Sequence, residues 1–179
     1  MAQSLESLAN AARTKGAAPV ELWNPPYCGD IGLEICSDGS WQYQGSPIAR
    51  TALVALFASV LRKDGDGRTY LVTPAEKVDV RVADAPFVAV AMEVVGAGVT
   101  QVVRLGTNLD EWVEVGPHHP LRFALQPDGG LKPYVLVRGR LEARVARSIY
   151  FDMIALAEAE GLPDSWGLWS GGVWWPLAA

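Results

Sequence analysis

The chain of 179 residues is half hydrophobic and one-fifth charged, with a formal net charge of -5. That composition excludes general disorder and gives enough chain to bury a core in one large domain or two small ones. The acidic balance argues against a broad nucleic-acid or acidic-membrane surface, although a local basic pocket remains compatible with it.

Two cysteines, Cys28 and Cys36, are too few for a disulfide framework and read as free structural thiols. The N-terminal stretch MAQSLESLANAARTKG has no apolar core of signal-peptide length, and no window approaches about 18 uninterrupted apolar residues. The expectation is a soluble cytoplasmic protein with no membrane partner and no bulk nucleic acid.

Residues 3 to 15 have helical spacing, with Leu5, Leu8, Ala9 and Ala12 on one side. The stretch Trp23 to Arg50 follows, WNPPYCGDIGLEICSDGSWQYQGSPIAR. Its Pro-Pro step predicts a stiff irregular segment through Gly29, and Ile31, Leu33 and Ile35 then alternate as in a half-buried strand. Asp38-Gly39 marks a hairpin turn, Trp41 to Gln44 the return strand, and Gly45-Ser46-Pro47 a break. From Arg50 to Arg62 the apolar residues Leu53, Val54, Leu56, Phe57, Val60 and Leu61 predict a helix with one buried face.

Asp64 and Asp66 in the next turn resemble the start of a calcium loop. The twelfth position of that frame is Ala75, so a solvated turn is expected instead. Two strands, Tyr70 to Thr73 and Lys77 to Val82, meet at Thr73-Pro74-Ala75-Glu76. The second places Val78, Val80 and Val82 inward and Lys77, Asp79 and Arg81 outward.

Asp84-Ala85-Pro86 reads as the internal boundary. Beyond it come strands FVAVAMEVV, VTQVVRL, EWVEV, LRFAL, PYVLV and LEARV, then a helix from Arg147 to Glu160 stopped by Gly161 and Pro163. The Trp-rich tail GLWSGGVWWPL must be packed, with a final strand near residues 172 to 176 and its tryptophans expected in the joint between the halves. The division is therefore 1–20 as an N-terminal helix or tail, 21–85 as an α+β roll, and 86–179 as a mainly-β roll plus helix.

Two stretches echo earlier ones. EWVEVGPHHPLR, ending at Arg122, resembles SWQYQGSPIAR, ending at Arg50, and YVLVRGRLEARV loosely resembles YLVTPAEKVDVRV. If the halves are duplicated, Arg50 and Arg122 occupy comparable places and could clamp a phosphate or carboxylate. Equally, each could tie only its own loop.

Catalytic motifs are absent. His118 and His119 are neighbours and point apart, which does not suit a metal pair. Leu168 stands where a nucleophile elbow around Ser170 needs glycine, and no phosphate-binding glycine loop is present. No catalytic residue, metal or cofactor is assigned, and an enzyme reading has no positive support.

The ordered series WNPPYCGDI, DGSW, GSPIAR, LVALFASVLR, YLVTPAEKVDV, DAPFVAV, HPLR, PYVLVRGRLEARVARSIYFDMI and GLWSGG resembles the DUF1285 family of bacterial proteins, from about Trp23 to Trp175. The resemblance implies an α+β fold of two small roll-like halves with internal duplication. It further implies that the second half is similar to pleckstrin-homology-like β rolls carrying a C-terminal helix.

It also implies a ligand site between the halves, for a nucleotide-like anion with a signalling role, near Asn24, Asp30, Arg50, Thr73, Glu76 and Lys77; the echo adds Arg122. Gly32 departs from the acidic or polar residue that the family often has there. The expected function is ligand binding or regulation. The alternatives are a protein-interaction module taking peptide at a β edge, and a hydrolase using Asp30 or Glu76.

Overall fold

The computed structural model describes residues 5–12, 18–160 and 166–177. The chain divides into two compact units, Met1–Asp84 and Ala85–Ala179.

In the first unit, helix α1 (Leu5–Ala12) rests on helix α2 (Thr51–Ser59) through Leu8, Ala9 and Ala12. The strands are β1 (Tyr27–Ile35), β2 (Trp41–Tyr43), β3 (Ser46–Pro47), β4 (Leu61–Lys63), β5 (Thr69–Val72) and β6 (Lys77–Val82). They form one sheet in the order β3-β2-β1-β6-β5-β4, with β1 and β6 parallel at its centre.

Leu33, Ile35, Leu61, Leu71 and Val78 are fully or almost fully buried, and Phe57 of α2 stacks on Trp41 at 6.3 Å. Each such side chain contributes roughly 2 kcal/mol by leaving water.

The second unit repeats the plan. Its strands are β7 (Phe87–Val95), β8 (Val102–Thr107), β9 (Trp112–Glu114), β10 (Leu121–Leu125), β11 (Leu131–Arg138) and β12 (Leu141–Val145). Their order is β10-β11-β12-β7-β8-β9, again with the first and last strands parallel at the centre. Two three-stranded meanders joined through a central parallel pair thus occur twice, which is the internal duplication seen as topology.

The units differ in where the helix falls. In the first, α2 joins the two meanders; in the second, α3 (Arg147–Glu160) follows β12 and lies on β7. A hairpin of β13 (Gly167–Ser170) and β14 (Val173–Pro176) then closes on this same unit against α3 and β8.

The structure departs from the sequence reading at several places. The helix predicted to Arg62 ends at Ser59. The Val72 amide donates to the Val60 carbonyl at 2.9 Å and Leu61 pairs with Leu71, so the apolar run continues as a buried strand. The segment read as irregular up to Gly29 is already strand from Tyr27.

The tail is a hairpin rather than one strand, and Trp169 packs edge-to-face on Trp174 at 5.5 Å within it. The helix stops Gly161 and Pro163, and residues 13–15 of the first helix, lie outside the described residues.

Strand order also revises the echo. β11 and β12 do correspond to β5 and β6. Trp41, however, lies on the second strand of its meander and Trp112 on the third, while Arg50 precedes α2 and Arg122 lies within β10. The strand-order counterpart of Arg122 is Arg62, since each pairs with a tyrosine of the next strand, Tyr134 and Tyr70.

Candidate functional site

One face of the first sheet carries alternating charge and aromatic groups. On β6, Lys77, Asp79 and Arg81 point to the face opposite Val78 and Val80. Asp79 pairs with Tyr70 on β5 and with Asp30 on β1, and Tyr70 pairs with Arg62 on β4. A single row across four strands therefore reads Arg62, Tyr70, Asp79, Asp30.

The sequence pattern places Asp79 in solvent, yet it is only 5% exposed. The Tyr27 hydroxyl donates to one of its oxygens, and the Arg68 guanidinium lies 2.5 Å from the other. A carboxylate can be covered this way because one oxygen accepts a hydrogen bond and the other, which has none, keeps an ion pair.

Arg62 anchors the edge. Its Nη1 donates to the Val20 and Trp23 carbonyls at 2.6 and 2.7 Å, and its Nε donates to Asp64 at 2.5 Å. The Lys77 amide donates to the Pro26 carbonyl at 3.0 Å, so the stiff Pro-Pro segment is fastened at both ends.

Lys77 Nζ lies 3.0 Å from Asp64 and 4.4 Å from the centre of the Tyr70 ring. Burial pushes the Asp64 carboxyl up, but hydrogen bonds from Arg62 and Lys77 more than offset this and hold it below its ordinary value. Asp66 accepts from the Tyr70 hydroxyl at 2.6 Å, and this bond together with burial pushes Tyr70 up to about 12. The Asp64–Asp66 turn is thus a docked clasp rather than a free loop.

At the other end of the face is a groove of about 380 Å³ lined by Asp30, Gly67, Arg68, Thr69, Asp79 and Arg81, among others. Asp30 accepts from the Gly32 amide at 2.7 Å and from Arg81 at 2.5 and 3.1 Å. The amide bond first, and the guanidinium second, lower its pKa.

Gly32 has a φ of +82°, and a Cβ there would lie 3.2 to 3.4 Å from Gln44. Glycine at this point lets β1 bulge and turn its amide onto Asp30.

Arg68 and Arg81 stand one step beyond the last β5–β6 pair, Thr69 with Val80, and so face each other across the strands. Like charges placed so are unfavourable. Asp79 and Asp30 each draw one of them, and both guanidinia stay more than half exposed.

The structure brings two of the expected site residues, Asp30 and Lys77, onto this face. Thr73 is buried in the β5–β6 turn, where its hydroxyl accepts from the Ala75 and Glu76 amides. Glu76 is buried in the same turn, and burial raises its pKa.

Asn24 is exposed on the segment before β1. Arg50 has extended backbone at the start of α2 and lines a second groove with Leu5, Ala9 and Leu53. Arg122 belongs to the second unit. It pairs with Glu142 through two bonds of 2.8 and 2.9 Å and covers the Tyr134 ring at 4.3 Å.

Sequence reasoning missed Tyr27, Arg62, Arg68, Asp79 and Arg81. Period-two alternation on β5 and β6 could have put Arg68, Asp79 and Arg81 on one face, but the parallel neighbour β1 comes from 50 residues away. Among the described residues, no group of three or more His, Cys, Asp or Glu could hold a metal ion. No described helix is long and apolar enough to cross a membrane.

Comparison with known proteins agrees with this architecture. Residues 18–85 match the family model described as "Domain of unknown function (DUF1285), N-terminal domain", and residues 86–177 match "Protein of unknown function (DUF1285), C-terminal domain". A DUF1285 family protein from Silicibacter pomeroyi DSS-3 is 46% identical over 100% of this chain and 97% of its own, with a TM-score of 0.91.

A second DUF1285 family protein, from Shewanella baltica OS155, is 26% identical over 70% of this chain and 92% of its own, with a TM-score of 0.55. No curated protein matches. The chain belongs to the DUF1285 family.

Proposed function

We propose that the first unit is a ligand-binding, regulatory module that takes a small nucleotide-like anion in the groove beside Arg68 and Arg81. The observation that carries this is the facing pair of arginines at a concave site. Each is tied to one carboxylate, and Arg81 spends only its Nε and Nη2 on Asp30.

A phosphate placed there accepts from both guanidinia and relieves their mutual repulsion. Tyr27, 52% exposed and 5.9 Å from the Arg68 guanidinium, offers a ring on which a planar base can stack. The absence of an activated nucleophile in the groove favours binding over chemistry. Asp30, the acid with which a hydrolase would begin, is already committed to Arg81 and the Gly32 amide.

The test is a thermal-shift series with inorganic phosphate, pyrophosphate and a panel of nucleotides. Binding raises the midpoint in proportion to the logarithm of ligand concentration. The double variant Arg68→Ala/Arg81→Ala should lose the shift; because it also strips the buried Asp79 of its cation, the shift is read against the variant's own, lower unliganded midpoint. A midpoint unmoved by every anion at millimolar concentration, or moved equally in the double variant, overturns the reading.

A further inference from the structure

β9 (Trp112–Glu114) is an outer strand of the second sheet, with β8 as its one neighbour among the described residues. Its ladder shows which main-chain groups are used. The Val115 amide donates to the Val103 carbonyl at 2.9 Å, and the Thr107 amide donates to the Glu111 carbonyl at 2.8 Å. Positions 111, 113 and 115 therefore face β8. In an antiparallel pair the alternate residues, Trp112 and Glu114, turn their N–H and C=O groups away from it. The matching outer strand of the first sheet, β3 (Ser46–Pro47), is blunted by a proline that has no N–H to offer.

The side chains along this edge are equally specific. The Trp112 indole lies flat over Gly106, where a Cβ would meet ring carbons at 2.8 Å, yet 41% of the residue stays exposed. A groove of about 380 Å³ runs beside it, lined by Val102, Trp112, Glu114, Pro117, His118 and Gly171 among others. Glu93 and Glu114 flank Arg104 at 3.3 and 3.6 Å, and Glu111 lies 3.4 Å from Arg138. With Asp110, the edge strand and its turn carry three carboxylates, Asp110, Glu111 and Glu114, against the guanidinia of Arg104 and Arg138, and the local excess is negative.

We propose that the β9 edge takes up an extended peptide segment bearing basic side chains, which adds a seventh strand to this six-stranded sheet. The main chain of the segment exchanges hydrogen bonds with Trp112 and Glu114. One of its apolar side chains packs on the Trp112 indole and Val102 in the groove. A neighbouring lysine or arginine pairs with Glu114 and gains further from the indole face. An acidic segment meets the same carboxylates as repulsion, so the site discriminates by charge. This inference concerns the second unit and stands apart from the anion groove of the first.

The experiment titrates the ¹⁵N-labelled full chain with a blocked Lys-Val-Arg-Val-Lys pentapeptide, and in parallel with its Glu-Val-Glu-Val-Glu counterpart. The basic peptide should shift the Trp112 and Glu114 amides and the Trp112 indole N–H, and the acidic one should not. Glu114→Lys, an exposed substitution, should weaken the basic peptide about tenfold and raise affinity for the acidic one. Glu114→Pro should abolish binding, because it deletes an outward N–H that no bond to β8 requires. Three outcomes overturn the proposal: no shift at millimolar basic peptide, equal shifts with both peptides, or shifts at β9 that depend on protein concentration without peptide and so report a second copy.

Discussion

Across β4, β5, β6 and β1 one row of partners reads Arg62, Tyr70, Asp79, Asp30; across β10, β11, β12 and β7 the corresponding row reads Arg122, Tyr134, Arg144, Val88. The arginine–tyrosine pair is kept and the second half of the row is not. In the first unit two acids follow. They draw in Arg68, Arg81 and the Tyr27 hydroxyl, and the Arg62 side chain is left only 9% exposed beneath the opening segment. In the second unit an arginine and a valine follow, and Arg122 stays half exposed with Glu142 as its partner. One strand plan therefore supports a covered polar face in one copy and an open one in the other.

The strongest way to break this contrast is to remove the shared arginine from each row in turn. Arg62→Ala leaves the Val20 and Trp23 carbonyls without their donor and strips Asp64 of its closer cation. The expected cost is about 3 kcal/mol, by the scale for groups buried with lost partners. Arg122→Ala removes an exposed ion pair and should cost less than about 1 kcal/mol. Urea unfolding followed by two probes, one per unit, gives both values. Equal losses would show that the burial of Arg62 contributes nothing beyond its surface counterpart.

The next test addresses a device that, among the described residues, belongs to the second unit. Ser170 is fully buried in the closing hairpin, where its hydroxyl donates to the Val115 carbonyl at 2.6 Å and accepts from the Val103 amide at 2.8 Å. It ties β13 to β8 and to the residue that follows β9. Ser170→Ala leaves a buried donor and acceptor unmet and should cost about 2 kcal/mol. Hydrogen exchange should accelerate at the Val103 amide, with the strands of the first unit unaffected. Unchanged exchange at Val103 would mean that the hairpin rests on its tryptophans instead.

Most of the strands were legible because period-two alternation and Gly, Pro and Asp turns mark them directly, as at Lys77–Val82 and at the Asp128-Gly129 turn. Helix α3 was legible to its first residue, Arg147. The end of α2 was not, because Val60 and Leu61 are apolar in a helix and in a buried strand alike, and only the partner β5 decides between them.

The site was less legible still. Asp30 and Lys77 carried a signal through the family motif. Asp79 was misread as solvated, because its cover comes from Tyr27 and Arg68, at distances along the chain that alternation cannot register. Arg62 was read as the tail of a helix. The pairing of Arg50 with Arg122 failed because the echo matched a strand, a break and an arginine without fixing which strand of the meander each belonged to.

The smallest expected effect separates the two turns that close the matching hairpins. The second unit uses a tight turn through Gly139, and the first uses Thr73 to Glu76, with the Thr73 hydroxyl accepting two amides and Glu76 buried at 8% exposure. Burial raises the Glu76 pKa above the ordinary value of 4.5. A carboxyl whose folded pKa is raised favours folding fully below its unfolded pKa, and that contribution is lost as pH rises through the folded value. At neutral pH the charged form is therefore a cost, and Glu76→Gln should stabilise the chain there by about 1 kcal/mol or less. The gain should shrink as the pH falls toward 4, where the native residue is itself neutral. A variant less stable than the native chain at pH 7 would show that the interactions of the carboxylate are worth more than its burial costs.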